Sequence, residues 1–125
     1  MTSRRVLVVD DDDAIREIAA VSMRAVGGHD VLTAASGAEA LVVAATQSPD
    51  VILLDVMMPE LDGPTTASRL QEDDRSRGIP VILLTAKVHA RDTAPLGRVD
   101  GVCGIIAKPF DPMTLPQQVA QMLGW

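Results

Sequence analysis

Val51-Ile52-Leu53-Leu54-Asp55 is four aliphatic residues closed by an acid. An unbroken apolar run of this length suits a strand covered on both faces, as in a parallel sheet. A strand with one wet face would alternate instead. Val6-Leu7-Val8-Val9 has the same form and closes on Asp10, and Val81-Ile82-Leu83-Leu84 follows Pro80 and closes on Thr85. Weaker strand candidates run from Asp30 to Ala34 and from Val102 to Ala107.

Helical patterns fill the intervals. From Asp13 onward, Ile15, Ile18, Ala19, Met23 and Val26 fall on one stripe, and Gly27-Gly28 ends it. Ser36 and Glu39 read as a capping box opening a helix that ends near Gln47, before Pro49. Pro64 suits the first turn of a third helix running toward Glu72. A fourth, around Val88 to Ala94, is cut short by Pro95 and Gly97. The last begins near Asp111-Pro112, where Pro116 predicts an irregular opening turn and a regular helix from about Thr114. The order is βαβαβαβαβα. Right-handed crossovers then place helices on both faces of a five-stranded parallel sheet, a doubly wound, three-layer α/β sandwich.

Composition narrows the function classes. The 125 residues make one domain, 1–125, with no output domain expected after the last helix. Phe110 and Trp125 are the only aromatic residues, so the core must be aliphatic. The net charge of −6 comes without a Lys/Arg-rich block, which argues against direct nucleic-acid binding. No apolar run approaches the ~18 residues of a membrane span, and the N-terminus is a poor signal peptide. Cys103 is the lone cysteine, so no intramolecular disulfide can form. The expectation is a cytoplasmic protein without membrane insertion.

In an open parallel sheet, ligands bind beyond the carboxyl ends of the strands. The first strand here ends in Asp10-Asp11-Asp12-Asp13, the third in Asp55 and the fourth in Thr85, and Lys108-Pro109 follows the fifth. Clustered carboxylates repel one another unless a cation compensates. Mg²⁺ does so with oxygen ligands, needing only one or two carboxylates plus phosphate oxygens. Asp13 reads as a helix N-cap, and Asp12 as loop, cap or site edge. Asp10 and Asp11 end a buried strand and read as functional. Asp55 could be a mere ion-pair partner of Lys108, but one lysine does not neutralise three acids. A carboxylate can also act as a nucleophile toward phosphorus and form an aspartyl phosphate, with the metal, Lys108 and Thr85 supplying charge and hydrogen bonding.

Four segments together resemble the receiver domain of bacterial two-component response regulators. They are Val8-Val9-Asp10-Asp11-Asp12, Leu53-Leu54-Asp55-Val56-Met57-Met58-Pro59 with Asp62-Gly63, Leu84-Thr85-Ala86, and Lys108-Pro109-Phe110. The spacings are 44 residues from Asp11 to Asp55, 30 more to Thr85 and 23 more to Lys108. The resemblance covers essentially the whole chain. It implies a flavodoxin-like (βα)5 fold with strand order 2-1-3-4-5. It implies that Asp55 accepts a phosphoryl group from a sensor histidine kinase or histidine phosphotransfer protein, switching contacts with an unidentified downstream protein. It implies Mg²⁺ held by Asp11, Asp55 and the backbone carbonyl of Met57, with Asp10 helping through water. Lys108 resembles the lysine that pairs with phosphoryl oxygens, and Thr85 the switch hydroxyl.

The departures are specific. The family commonly carries Tyr or Phe three residues before the lysine, where this chain has Ile105. A rotating aromatic is therefore not half of this switch. Met57 and Lys87, two residues after Asp55 and Thr85, are expected to flank the phosphoryl site and slow hydrolysis. Among rivals, aspartyl-phosphate hydrolases usually carry a second Asp where this chain has Met57, so turnover of external substrates is not expected. Nucleotide binding lacks a Gly-rich GK[ST] loop. An unphosphorylated receiver-like interaction module and a phosphate sink remain as alternatives. His29 reads as an exposed turn residue, His89 as a surface imidazole, Cys103 as a small buried residue, and Met113 and Met122 as helix packing. Trp125 either packs back on the domain or offers a docking handle.

Overall fold

The computed structural model describes residues 3–86 and 94–125. The helix expected around Val88 to Ala94, and with it Lys87 and His89, lies outside the described residues, Ala94 apart. Five strands form one sheet: β1 (Arg5–Val9), β2 (Asp30–Ala34), β3 (Val51–Asp55), β4 (Val81–Thr85) and β5 (Val102–Ala107). Every pairing is parallel and the order is β2-β1-β3-β4-β5, as the resemblance implied. The described helices are α1 (Asp13–Val21), α2 (Gly37–Gln47), α3 (Gly63–Gln71) and, last in the chain, α4 (Leu115–Leu123).

The unbroken apolar runs are explained by what lies on each face. Every residue of β3 and β4 is buried. Alternate side chains feed two cores. Leu7, Val9, Ile52, Leu54 and Leu83 pack with Ala40 and Ala44 of α2 and Ala67 and Leu70 of α3. Val6, Val8, Leu53, Ile82 and Leu84 pack with Ala19 of α1, Met23, and Leu115 and Val119 of α4. Burying each Leu, Ile or Val contributes about 1.5–3 kcal/mol, so the two fully buried cores are aliphatic, with Phe110 and Trp125 packed only at the margin of the second. Register fixes the functional edge: Asp55 opposes Leu84, and Thr85 opposes Ala107. The ends of β1, β3, β4 and β5 therefore lie along one side of the sheet.

Local chemistry sets the helix starts. The N-cap of α1 is Asp12, not Asp13: its carboxylate accepts from the amides of Ala14 and Ile15 at 2.9 and 3.2 Å. Asp12 keeps an extended backbone, whereas Asp13 is already helical and pairs with Arg16. Ser36 caps α2, and the Glu39 carboxylate reaches the amide of Ala35, one residue short of the usual box. Pro116 is the second residue of α4, where an amide has no intrahelical partner to lose. The turn expected before it is present, closed by Thr114 and Leu115 amides on the Asp111 carbonyl.

Several sequence expectations change. The stripe of α1 is narrower than its pattern: Ala19, Ala20 and Met23 are buried, while Ile18 and Val26 are exposed. Its final turn, Ser22–Val26, is π-wound, and the Ser22 hydroxyl donates to the Pro112 carbonyl. His29 is half-buried rather than an exposed turn residue: its Nδ1 accepts from the Arg4 amide at 3.1 Å and its ring centroid lies 5.4 Å from that of Trp125. Trp125 does pack back, with the Arg4 guanidinium 5.0 Å above its ring. Cys103 is exposed because β5 is an edge strand. Met113 is exposed in the turn before α4 rather than packed.

Candidate functional site

Asp10 leaves β1 as its last buried residue. Its amide still bonds the Ala34 carbonyl at 3.2 Å, after which the chain turns into α1. One carboxylate oxygen accepts from the Asp12 amide at 2.9 Å, the other from Lys108 Nζ at 3.1 Å. Its carbonyl accepts from Arg16 Nη1 at 2.9 Å. Asp55 ends β3 with 4% exposure, and its Oδ1 accepts from the same Lys108 ammonium at 2.7 Å. Asp11 is exposed, but an oxygen of its carboxylate lies within 4.8 Å of one from Asp10 and one from Asp55.

Lys108 is aimed by its backbone. Its amide donates to the Thr85 carbonyl at 2.8 Å, carrying the β4–β5 pairing one residue past β5. Thr85 is buried, one step beyond Leu84, the register partner of Asp55. Met57 lies in the loop after β3 with its side chain exposed. That loop is tied at both ends, by the Val56 amide on the Leu84 carbonyl (3.1 Å) and the Gly63 amide on the Val56 carbonyl (2.9 Å). Gly63 has to be glycine: a Cβ there would run into the Asp55 carbonyl oxygen and come within 2.9 Å of Val56 Cα.

The sequence-predicted Asp10, Asp11, Asp55 and Lys108 thus meet at one point. Asp12 and Asp13 do not join them, being engaged at the helix start. Sequence reasoning missed Arg16. Its signal, a cation four residues beyond an acidic cap, is common on helices and points to no backbone carbonyl.

Electrostatics follow from burial. Burial pushes the Asp55 carboxyl above its ordinary value, the Lys108 hydrogen bond opposes this, and the neighbouring Asp10 adds to the rise. Burial works against the Lys108 charge, but its bonds to Asp55 and Asp10 prevail and hold the ammonium above its usual value. Among the described residues, three carboxylates gather around one ammonium, an excess of negative charge. The donors are hard oxygens, the set that suits Mg²⁺.

Residues 6–120 match the family model of the response regulator receiver domain. The chain is 35% identical over 119 residues to the DNA-binding dual master transcriptional regulator RpaA of Synechocystis, covering 95% of this chain and 48% of that protein. It is 39% identical over 120 residues to the response regulator PleD of Caulobacter vibrioides, covering 96% and 26% respectively. The chain therefore spans about half or less of the length of these curated relatives. Among solved structures it is similar to the chemotaxis response regulator CheY4 of Vibrio cholerae (TM-score 0.88, 31% identity, 97% of this chain and 99% of that one). It is also similar to the receiver domain of the sensor histidine kinase PA1611 of Pseudomonas aeruginosa, solved with a magnesium ion in the active-site cleft (TM-score 0.83, 26% identity, 99% and 100%).

Proposed function

The chain belongs to the response regulator receiver domain family, and on that premise we propose that Asp55 is its phosphoacceptor. The observation that carries this is the buried Asp55 carboxylate 2.7 Å from Lys108 Nζ, with Asp10 and Asp11 beside it. A charge so placed at the end of an apolar strand is costly unless it is paired or bound to a cation. The donor is a histidine kinase or histidine phosphotransfer protein. A carboxylate oxygen of Asp55 forms a bond to phosphorus as the donor's P–N bond breaks, and the imidazole leaves with a proton. Lys108 then follows the developing negative charge onto the phosphoryl oxygens, and the Thr85 hydroxyl hydrogen-bonds one of them.

Asp11, Asp55 and the Met57 carbonyl would hold Mg²⁺ directly, with Asp10 acting through water. When bound, the ion supplies charge neutralisation at the phosphoryl group. The residue two positions after Asp55 is Met57, which has no acid or base function, so the chain acts as a phosphoprotein and not as a turnover enzyme. No helix among the described residues is long and apolar enough to cross a membrane.

The donor's approach has a surface beside it. Ile15, Ile18, Pro109, Phe110 and Pro112 line an apolar cleft that Lys108 borders. Apolar groups next to a charged reaction centre give a partner a place to bury its own side chains while its histidine reaches Asp55. The downstream switch runs without a rotating aromatic: Ile105 packs against the core shared by α2 and α3.

Incubation with acetyl phosphate and Mg²⁺, followed by intact mass, tests the reading. A stoichiometric gain of about 80 Da, expected for a covalent aspartyl phosphate, should vanish in Asp55→Asn. Mg²⁺ binding without that gain would instead favour an unphosphorylated interaction module.

A further inference from the structure

Arg16 belongs to the first turn of α1, yet its guanidinium turns back toward the end of β1. Nη1 donates to the Asp10 carbonyl at 2.9 Å and Nη2 to the Asp13 carboxylate at 2.5 Å. The Arg16 side chain is 20% exposed, whereas Asp13 is 89% exposed. The pair with Asp13 alone is worth little, because an ion pair with a solvent-exposed partner gains little in water and is screened by salt. What the fork accomplishes lies at its other tooth.

The Asp10 carbonyl has left the β ladder and belongs to a buried residue. A buried carbonyl without a donor carries an uncompensated desolvation cost, and Arg16 supplies the donor. That carbonyl is also half of the Asp10–Asp11 peptide. Fixing its direction fixes the plane of the peptide, and with it the point from which the Asp11 side chain departs. Asp11 needs such help, because its carboxylate is the exposed member of the cluster. Asp10 is held at its amide by Ala34 and at its carboxylate by the Asp12 amide and Lys108.

We infer that Arg16 is a positioning residue for divalent-cation binding, acting through the Asp10–Asp11 peptide to orient the Asp11 carboxylate. The inference rests on the reading of Asp10, Asp11 and Asp55 as a Mg²⁺ site. Arginine is suited to the role because its planar fork grips a carbonyl and a carboxylate at once; lysine is a single point charge and cannot do so in this geometry. Asp13 is the second anchor that keeps the fork in plane.

Calorimetric Mg²⁺ titration of the full chain tests this. Removing an outer partner of a metal ligand typically weakens affinity by about 10–100-fold, so Arg16→Lys and Arg16→Met should both bind Mg²⁺ at least about 10-fold more weakly than wild type. Asp13→Asn should fall between them and wild type. The acetyl-phosphate reaction of Arg16→Lys should recover toward the wild-type rate as Mg²⁺ is raised, a loss of binding rather than of chemistry. If Arg16 were only a nearby positive charge, Arg16→Lys would bind normally and Arg16→Met more tightly. Either result, in variants whose melting in chelator shows them folded, overturns the positioning role. If wild type itself binds no Mg²⁺, the metal reading fails and this inference falls with it. If wild type binds Mg²⁺ and the variants match it, the metal reading stands and this inference alone is lost.

Discussion

Lys108 Nζ lies 2.7 Å from Asp55 Oδ1, and the two residues come from the carboxyl ends of β5 and β3, with β4 between them and 53 positions apart in sequence. The lysine also holds Asp10, at 3.1 Å. Replacing it with Met leaves two buried carboxylates facing each other. Breaking an enclosed ion pair from one side costs about 3–5 kcal/mol; because this site opens to water at Asp11, about 2–3 kcal/mol is expected for Lys108→Met in chelator. Adding Mg²⁺ should recover part of it, because the ion compensates the same charges. Urea unfolding with and without Mg²⁺ measures both. A loss that Mg²⁺ leaves untouched would mean that Lys108 acts by packing and not by charge.

Ile18 separates docking from chemistry. It is exposed on α1 at the cleft that Phe110 and Lys108 share. Ile18→Asp should cost under about 1 kcal/mol of stability, since the site is solvated and Asp is a weaker helix former. Phosphotransfer from a cognate histidine donor should fall by roughly 10-fold or more, the loss of one interface anchor. The small donor acetyl phosphate makes no use of the cleft, and its rate should hold. Equal losses with both donors would relocate the effect to the acidic site.

His29 gives the stability a pH signature. Burial, and then the Arg4 charge, hold its imidazole below the ordinary value, with Asp50 pulling the other way. The folded chain therefore refuses a proton that the unfolded chain accepts. Above the unfolded value of about 6.5 both states are neutral and the contribution is complete. As pH falls below it, the unfolded state binds more protons and stability is lost. His29→Gln removes this titration while keeping a side-chain acceptor near the Arg4 amide. Unfolding free energies of the two proteins should run parallel above pH 7 and diverge toward pH 5.5, with wild type losing more. Parallel curves across the whole range would show that the imidazole is not shielded.

Three strands were legible because burial on both faces leaves an unbroken aliphatic run, and each run closes on a side chain that the proposed chemistry uses. Asp10, Asp55 and Thr85 announce themselves by terminating such runs. What stayed hidden involves partners with no sequence identity or neighbours too alike to separate. Arg16 bonds a backbone carbonyl, which any residue carries. Asp12 and Asp13 are the same side chain one position apart, and the backbone angle alone decides which one caps the helix. The contact of His29, just before β2, with Trp125, just after α4, follows only from where α4 packs against the sheet. Cys103 looked like a core residue because strand composition does not reveal which strand is the edge.

Met57 tests how long the signal lasts. Its side chain is 73% exposed in the loop directly after Asp55, so it contributes nothing to the cores and can be changed without disturbing them. Once Asp55 carries a phosphoryl group, loss of that group requires water to reach phosphorus from the open side of the site. A thioether offers that water no strong hydrogen bond and occupies volume beside it. Asparagine is smaller and presents an amide that can hold a water molecule. The aspartyl phosphate of Met57→Asn should therefore hydrolyse several-fold faster, on the order of 1 kcal/mol of barrier at roughly 5-fold, with little change in unfolding free energy. Following the phosphorylated mass after removal of excess acetyl phosphate gives the two half-lives directly. Equal half-lives would place the control of lifetime elsewhere on the site rim.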